Sequence, residues 1–241
     1  STKIITISSE QQQEIVNKFK VAPLEKTCII PLGFDLKRFE ESHSKRDELR
    51  ADAGIPNEQS AVAIVGRLAP IKNHRLFIDA AALVLRQYPN EFIFYVVGDG
   101  ELKTEIKSYI EKTYPLLNEN IVFTSWIADM TSLYPAMDIV SLTSLNEGTP
   151  VSLIEAQASG IPVISTNVGG VKDIVLANET GIIMKGHSEV ELAKHLIELH
   201  LNRSLRMKMS QNARNFVKEK FTYQRLVDDI DSLYKTLLPN E

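Results

Sequence analysis

Short, almost wholly apolar runs recur along the middle of the chain, and each is followed by a stretch with helical periodicity. A strand that is apolar at every position is typical of a parallel sheet that helices cover on both faces. The runs with this character are Ala61–Val65, Phe92–Val97, Ile121–Thr124, Asp138–Leu142, Pro162–Ser165 and Gly181–Met184. Strands that alternate with helices over about 125 residues predict an α/β fold with a doubly wound parallel sheet.

The intervening helices are predicted from apolar residues that recur three or four positions apart. In the first helix, His74–Tyr88, such residues are Phe77, Ala81 and Val84. The other predicted helices are Glu101–Lys112, Met130–Met137, Pro150–Ser159 and Val171–Leu176.

The first part of the chain is charged and irregular, which suits a domain junction or linker. Strands are predicted at Lys3–Ile7 and Thr27–Ile30, with a helix from Ser8 or Ser9 to about Phe19 between them, and a polar helix at Lys45–Ala53. The chain starts without Met and runs directly into a strand, so we expect it to be part of a larger protein.

The tail is predicted to be helical. Ser188 and Glu191 have the spacing of a capping box, and a helix is predicted at Arg203–Lys220. The last predicted helix is amphipathic. Its apolar stripe consists of Tyr223, Leu226, Ile230, Leu233 and Leu237.

Composition excludes several classes of protein. The net charge of −4 gives no electrostatic attraction to nucleic acid. No apolar run approaches the roughly 18 residues of a membrane span. A single cysteine, Cys28, excludes an intrachain disulfide and fits a reducing compartment. The sequence therefore predicts a cytoplasmic protein.

Polar residues that could carry chemistry follow three of the predicted strands, where ligands bind in doubly wound sheets. The strand Ala61–Val65 is followed by Gly66, Arg67 and Lys72, and the two cations suit a diphosphate. Their other interpretation is a pair of surface cations. Gly98-Asp99-Gly100 follows the second strand, but it lacks the third glycine of a dinucleotide fingerprint and is better explained as a tight turn.

The third loop, Asn146–Ala156, places Glu147 and Glu155 on either side of a predicted helix start. Thr149 is predicted as the N-cap and Pro150 as the first helical residue. The next free amides, at Val151, Ser152 and Leu153, would then favour an anion. The other interpretation is one loop glutamate and one solvated helix glutamate that share a spacing by chance.

Several sites can be excluded from the sequence. There is no Walker P-loop and no G-x-S-x-G nucleophile elbow. The histidines lack zinc-ligand spacing, and one cysteine cannot form a thiolate zinc site. A D-x-D pair at Asp229 and Asp231 lies inside the amphipathic last helix, where a solvated helix face explains it better than a metal site.

Positive charge is concentrated near the end of the chain. We favour a solvated helical face for it, with peripheral association with the inner face of an anionic membrane as the second interpretation. The residues are Arg203, Arg206, Lys208, Arg214, Lys218 and Lys220.

Taken in order, the segments VGRLAPIKN, YVVGDGELK, IVFTSWI, YPAMDIVSLTS, NEGTPVSLIEAQASGIPVISTNVGGVKDIV and TGIIM form a recognisable series. This series resembles the C-terminal half of the group 1 (family 4) retaining glycosyltransferases, which have the GT-B fold of two Rossmann-like domains. The resemblance implies that residues 1–24 are a remnant of the N-terminal acceptor domain and the interdomain linker. It makes residues 25–220 the Rossmann-like donor-binding domain and residues 221–241 a crossover helix. Most of the acceptor domain would be missing.

The resemblance also implies roles for single residues. Arg67 and Lys72, beside Gly66, would hold the diphosphate of a nucleotide-sugar donor, and Glu147 would contact the sugar. The distal phosphate would bind amides of the turn formed by Gly148, Thr149, Pro150, Val151, Ser152 and Leu153.

Glu155 would accept hydrogen bonds from the ribose, and the base would lie at Ile127 and Asp129. The resemblance implies no cofactor and no metal. Two residues depart from the family pattern: Asn73, where Gly is common, and Gln157, where a hydrophobic residue such as Met is frequent.

Two alternatives stay open at this point. One is a non-catalytic module that binds a nucleotide sugar in the same pocket. The other is a sugar-nucleotide epimerase of the GT-B type.

Overall fold

A six-stranded parallel sheet forms the centre of the computed structural model, which describes residues 1–238 apart from the side chain of His43. In chain order, the strands of residues 1–238 are β1 (Ile4–Thr6), β2 (Thr27–Ile29), β3 (Ser60–Val65), β4 (Phe92–Val97), β5 (Ile121–Thr124), β6 (Ile139–Leu142), β7 (Val163–Ser165) and β8 (Gly181–Ile183). Strands β3 to β8 pair in the order β5-β4-β3-β6-β7-β8, and every pairing is parallel. The predicted doubly wound α/β fold is confirmed.

Helices cover both faces of this sheet. The α-helices of residues 1–238 are α1 (Ser9–Gln13), α2 (Lys37–Ser42), α3 (Arg46–Asp52), α4 (His74–Gln87), α5 (Lys103–Thr113), α6 (Val151–Ala158), α7 (Val171–Ile174), α8 (Glu189–Leu201), α9 (Arg203–Lys220) and α10 (Tyr223–Leu237). A π-helical segment, Glu14–Lys18, extends α1. Within residues 1–238, no helix is both long and apolar enough to span a membrane.

The core has two layers because successive strand residues point to opposite faces of a sheet. On β3, Val62 and Ile64 are buried against α4 and α8, while Ala61 and Ala63 belong to the apolar cluster on the other face. The second cluster includes residues of α6 and α9, such as Leu153 and Val217.

One predicted helix was wrong and one helix was missed. Met130–Met137 forms two separate 3₁₀ turns, Met130–Ser132 and Tyr134–Ala136, instead of one helix. Pro135 has no N–H to donate inside a helix, which accounts for the break. Helix α2 was missed because Phe39 is the one large apolar side chain within it, too few for a periodic pattern.

Strands β1 and β2 pair with each other in a separate two-stranded parallel sheet. Ser8 caps α1, since its hydroxyl accepts from the Gln11 amide at 3.1 Å. The capping box at α8 is only half formed. Ser188 accepts from the Glu191 amide, but the Glu191 carboxylate accepts from the Lys185 and Gly186 amides instead of returning to Ser188.

A buried charge cluster at the amino end of β6 connects α3 to the sheet. Asp138 accepts from Arg46 at 2.7 Å, from Arg50 at 2.9 Å and from the Ala61 amide at 2.9 Å. Arg50 is almost fully buried and also donates to three backbone carbonyls. Removal of one partner from such a cluster leaves a buried charge uncompensated, which is costly.

We therefore expect Asp138→Ala to lower the free energy of unfolding by about 3–5 kcal/mol in urea titrations. Asp231→Ala is the matched control, because Asp231 pairs with Lys235 on the exposed surface of α10 and should cause no measurable change. Equal effects of the two variants would contradict the anchoring role of Asp138.

Candidate functional site

From β3, the next strands in sequence, β4 and β5, are added on one side of the sheet, and β6, β7 and β8 are added on the other. Strands β3 and β6 are therefore neighbours although two strands separate them in sequence. The crevice outside the carboxyl ends of such strands is where doubly wound sheets bind ligands. The loops after β3 and β6 meet there, since the Leu145 amide donates to the Ile71 carbonyl at 2.8 Å. The Thr143 hydroxyl adds bonds to the carbonyls of Lys72 and Asn73.

An ion pair joins the two loops. Lys72 Nζ lies 2.6 Å from Glu147 Oε1, and the two side chains are 23% and 11% exposed. The buried Ser144 hydroxyl donates to the same Oε1 atom, also at 2.6 Å. Among the hydrogen bonds of residues 1–238, none uses Oε2 of Glu147, so this oxygen is available to a ligand.

Arg67 is far more exposed, at 71%, and pairs with Glu101 at 3.1 Å. Its loop lies against the Gly98-Asp99-Gly100 turn, where the Leu68 amide donates to the Asp99 carbonyl at 3.0 Å. A Cβ on Gly98 would lie 2.1 Å from the Gly66 carbonyl oxygen. These glycines therefore serve close packing of two loops, in agreement with the tight turn predicted for them.

A second close contact holds Glu147 in place. The loop after β7 brings Gly169 and Gly170 against the backbone of Glu147 and Gly148, and the Gly170 amide donates to the Glu147 carbonyl at 3.3 Å. A Cβ on Gly169 would lie 1.6 Å from that carbonyl oxygen. Gly169 also has φ of +51°, in the left-handed region that favours glycine.

The start of α6 differs from the prediction. Pro150 is the N-cap, with extended backbone angles, and Val151 is the first helical residue, so Thr149 is not the cap. The Leu153 amide is not free, because it donates to the Pro150 carbonyl at 3.1 Å. The amides of Val151 and Ser152 stay at the helix start, where no carbonyl one turn back can accept from them.

Glu155 lies one turn into α6 and is partly buried. Burial raises the pKa of its carboxyl above the usual range, against the opposing effect of the Tyr134 hydroxyl. That hydroxyl lies 3.3 Å from Glu155 Oε2 and 3.1 Å from the Ser152 carbonyl. Glu155 is thus not the fully solvated helix residue of the alternative interpretation.

The predicted base-binding residues follow β5. Ile127 is half-buried against the apolar cluster that contains Leu153. Asp129 is exposed, and its carboxylate accepts from both the amide and the hydroxyl of Thr131. These bonds hold the pKa of Asp129 below its usual range.

Sequence reasoning missed the residues that support Glu147. The Ser144 carbonyl accepts from the Thr166 hydroxyl at 2.7 Å and lies 3.1 Å from His187 Nε2. Ser144 and Thr166 each come just after a strand of the sheet, and this position was the available signal. His74 was also missed. Burial, and secondarily Lys72, lowers the pKa of His74 to about 4, so its ring is neutral near pH 7.

The D-x-D pair forms ordinary helix ion pairs, Asp229 with Arg225 and Asp231 with Lys235. Nowhere in residues 1–238 do three or more His, Cys, Asp or Glu side chains come together as metal ligands could.

A family model described as glycosyl transferases group 1 matches residues 45–216. The chain belongs to this family. Among its relatives is the UDP-Gal:alpha-D-GlcNAc-diphosphoundecaprenol alpha-1,3-galactosyltransferase of Escherichia coli, which is 29% identical over all of this chain and 62% of that protein. A second is the D-inositol 3-phosphate glycosyltransferase of Corynebacterium glutamicum (strain R), 27% identical over 97% of this chain and 57% of that protein. The chain thus spans about 60% of the length of these relatives.

Solved structures of group 1 and GT-B proteins have the same fold. The Anabaena protein HepE, crystallised with UDP, superposes with a TM-score of 0.88 at 24% identity, over 98% of this chain and 64% of HepE. The C-terminal domain of LpcC, a group 1 protein from Francisella tularensis, is 30% identical with a TM-score of 0.67, over 74% of this chain and 93% of that domain. This chain therefore corresponds to a C-terminal part of group 1 enzymes.

The two departures from the group 1 pattern have structural explanations. Asn73 has φ of +48°, a left-handed conformation that Asn tolerates better than most residues, so it can replace Gly. Gln157 is fully buried, and its amide nitrogen donates to the carbonyls of Leu153 and Ile174, which ties α6 to α7.

The contact behind Glu147 can be tested by adding one carbon. Gly169→Ala should lower the free energy of unfolding by roughly 2 kcal/mol, because the methyl group collides with Glu147 and the backbone angles are strained. Gly186→Ala is the control, since a Cβ there meets nothing within 4 Å. Urea unfolding measures both, and hydrogen exchange should show faster exchange of the Gly170 amide in Gly169→Ala alone. Unchanged exchange and stability in that variant would refute the contact.

Proposed function

We propose that this chain binds a nucleoside-diphosphate sugar at the switch point and forms the donor half of a retaining glycosyltransferase. The observation that carries the proposal is the Lys72–Glu147 pair, which sets a cation and a carboxylate beside the amides at the start of α6. The name of the Escherichia coli relative includes UDP-Gal, and HepE binds UDP. UDP is therefore the first nucleotide to test.

In this proposal Arg67, Lys72 and the amides of Gly148, Val151 and Ser152 bind the diphosphate. A lysine ammonium has three N–H donors, so Lys72 can keep its bond to Glu147 while it donates to a phosphate. When the sugar leaves, negative charge grows on the diphosphate, and these fixed donors stabilise it without a metal.

Glu147 is proposed to contact the donor sugar through Oε2 and to stabilise the positive charge that develops at the anomeric carbon. Neither Glu147 nor another residue is assigned as a nucleophile. The acceptor hydroxyl would attack the anomeric carbon on the face from which the diphosphate departs. A leaving phosphate oxygen would take the hydroxyl proton, and this front-face route retains configuration.

The nucleoside would extend away from Glu147 along α6. Glu155 accepts hydrogen bonds from the ribose hydroxyls, and the loop at Ile127 and Asp129 holds the base. The carboxylate of Asp129 is occupied by Thr131, so the backbone of this loop is the better candidate for base contacts.

We further propose that residues 1–24 and 221–241 join this donor domain, residues 25–220, to an acceptor domain. Exposed apolar side chains at Phe19, Val21 and Leu24, and at Val227 and Tyr234 on α10, support a covering partner. Pro239–Glu241 lie outside the described residues. The proposal includes a cytoplasmic location.

Binding of UDP tests the proposal directly. Lys72→Ala and Arg67→Ala should each weaken UDP at least about tenfold in calorimetry, since a charge-assisted hydrogen bond contributes roughly 1.5–3 kcal/mol. Lys194→Ala, on the exposed face of α8, should bind like the unaltered chain.

Unchanged affinity in both loop variants would overturn the donor site. A UDP-sugar incubated with the chain alone separates the alternatives, because an epimerase would convert the sugar without any acceptor. In a full-length relative, the substitution that corresponds to Glu147→Gln would abolish sugar transfer if the site is catalytic. A module that only binds the nucleotide sugar would show no transfer before or after the substitution.

Glu155 links affinity to stability. Its raised pKa means that the folded state disfavours the ionised carboxyl, which lowers the free energy of unfolding. This loss of stability is fully present above the pKa of the folded state. It disappears below the usual carboxyl pKa of about 4.3, where the group is protonated in both states. We expect Glu155→Gln to raise Tm at pH 7, to lose that gain as the pH falls below about 4, and to weaken UDP about tenfold. Thermal unfolding across pH, together with calorimetry, measures both effects. A lower Tm at pH 7 would contradict this account of Glu155.

A further inference from the structure

A cavity of about 850 Å³ opens at the amino ends of β3, β6 and β7, on the opposite edge of the sheet from the donor loops. Its walls come from α3, the end of α8 and one side of α9. Small-molecule sites usually measure about 300–1,000 Å³, so this cavity has room for a ligand. The proposed donor site makes no use of it.

One stripe of α9 supplies most of the positive charge. Arg203, Arg206, Ser210 and Arg214 line the cavity, at spacings that keep them on the same side of a helix. The lysines of the tail do not line the cavity. Lys218 pairs with Glu40 and Lys220 donates to the Asp173 carbonyl.

These three arginines have no carboxylate contact among the ion pairs of residues 1–238. The side chain of Arg206 donates to the carbonyls of Leu199 and His200, and Arg214 donates to the Ser210 hydroxyl at 3.2 Å. Burial lowers the pKa of Arg206, and nearby arginines add to this effect although Asp138 opposes it.

The cavity also contains carboxylates. Asp138 is held by Arg46 and Arg50, which leaves these two arginines with one carboxylate between them. Asp47 and Glu58 are exposed in the lining and form no ion pair within residues 1–238. Five arginines thus face three carboxylates. Like charges that are close together without compensation destabilise a fold. A bound anion would relieve the repulsion between the arginines, and this relief would contribute to the affinity for the anion.

We propose that this cavity binds a phosphate-bearing small molecule whose phosphate oxygens are held by Arg203, Arg206 and Arg214. The guanidinium fork matches two oxygens of a phosphate at once, and Ser210 can add a hydroxyl donor. The rest of the ligand would lie on the apolar lining, which includes Ile161, Pro162 and Met207. This inference does not depend on the proposed donor function.

Calorimetry with inorganic pyrophosphate tests the site in a Lys72→Ala background, which weakens binding at the donor loops. The double variant Arg203→Gln/Arg214→Gln should lose at least about tenfold in affinity. Arg86→Gln, an exposed arginine on α4, should match the parent. Pyrophosphate binding that the double variant retains would overturn the proposal. UDP affinity of Arg203→Gln/Arg214→Gln with Lys72 intact reports the donor site separately.

A second measurement separates ligand binding from a structural role. Without ligand, Arg203→Gln should raise Tm by about 1 °C at low salt, because one source of charge repulsion is removed. The gain should shrink as salt screens the charges. A fall in Tm would mean that Arg203 supports the fold, which would overturn its assignment as a ligand-binding residue.

The source of the phosphate can be distinguished with vesicles. Sedimentation with phosphatidylcholine vesicles that contain phosphatidic acid, compared with phosphatidylcholine alone, reports binding to a lipid headgroup. Dependence of that binding on Arg203 and Arg214 would support the cavity with a membrane lipid as its ligand. Pyrophosphate binding without vesicle binding would support a soluble ligand, and failure of both would refute the site.

Discussion

The Lys72–Glu147 ion pair joins the two halves of the sheet between β3 and β6, where the loops from the two halves meet. Two partly buried charges cost solvation energy, and only good geometry and further hydrogen bonds offset it. Here the Ser144 hydroxyl supplies the additional bond, and the Ser144 carbonyl is itself held by Thr166. The pair therefore depends on three strands at once, because Lys72 follows β3, Ser144 follows β6 and Thr166 follows β7. Its position on the ligand-binding edge is a consequence of the strand order.

Close backbone contacts maintain this arrangement. Gly98 lets the loop after β4 lie against the loop that carries Arg67, and Gly169 lets the loop after β7 lie against Glu147. In both places a side chain of any size would separate the loops. The polar side chains of the proposed donor site are thus positioned by contacts that only glycine allows. At the opposite edge the arrangement is different. Asp138 and two arginines connect α3 to the sheet, and the arginines of α9 line the cavity.

The strands of the large sheet could be predicted to within one residue, because strands buried on both faces leave uninterrupted apolar runs. The same reasoning placed Lys72 and Glu147 on adjacent loops. It failed where tertiary contacts decide. Helix α2 contains one large apolar side chain, Phe39, and the break at Pro135 interrupts a pattern that is apolar enough for a helix. The cap of α6 lies at Pro150 instead of Thr149, a shift of one residue that local preferences cannot resolve. Ser144 gave no signal beyond its position after β6, since its bond to Glu147 exists only in the folded loop.

The surroundings of Glu147 and Glu155 differ in a way that suits the two roles proposed for these residues. Glu147 receives bonds from Lys72 and Ser144 on one oxygen, which fixes its orientation and leaves the other oxygen without a hydrogen bond from residues 1–238. Glu155 sits among partly buried groups beside Tyr134, where burial favours its neutral form. An acid and base acting on one bond would have to converge on the same atoms, whereas these carboxylates are placed before and after the helix start that separates them. A ligand laid across that helix start would meet one carboxylate at each end, and a nucleotide sugar has hydroxyl groups at both ends of its diphosphate.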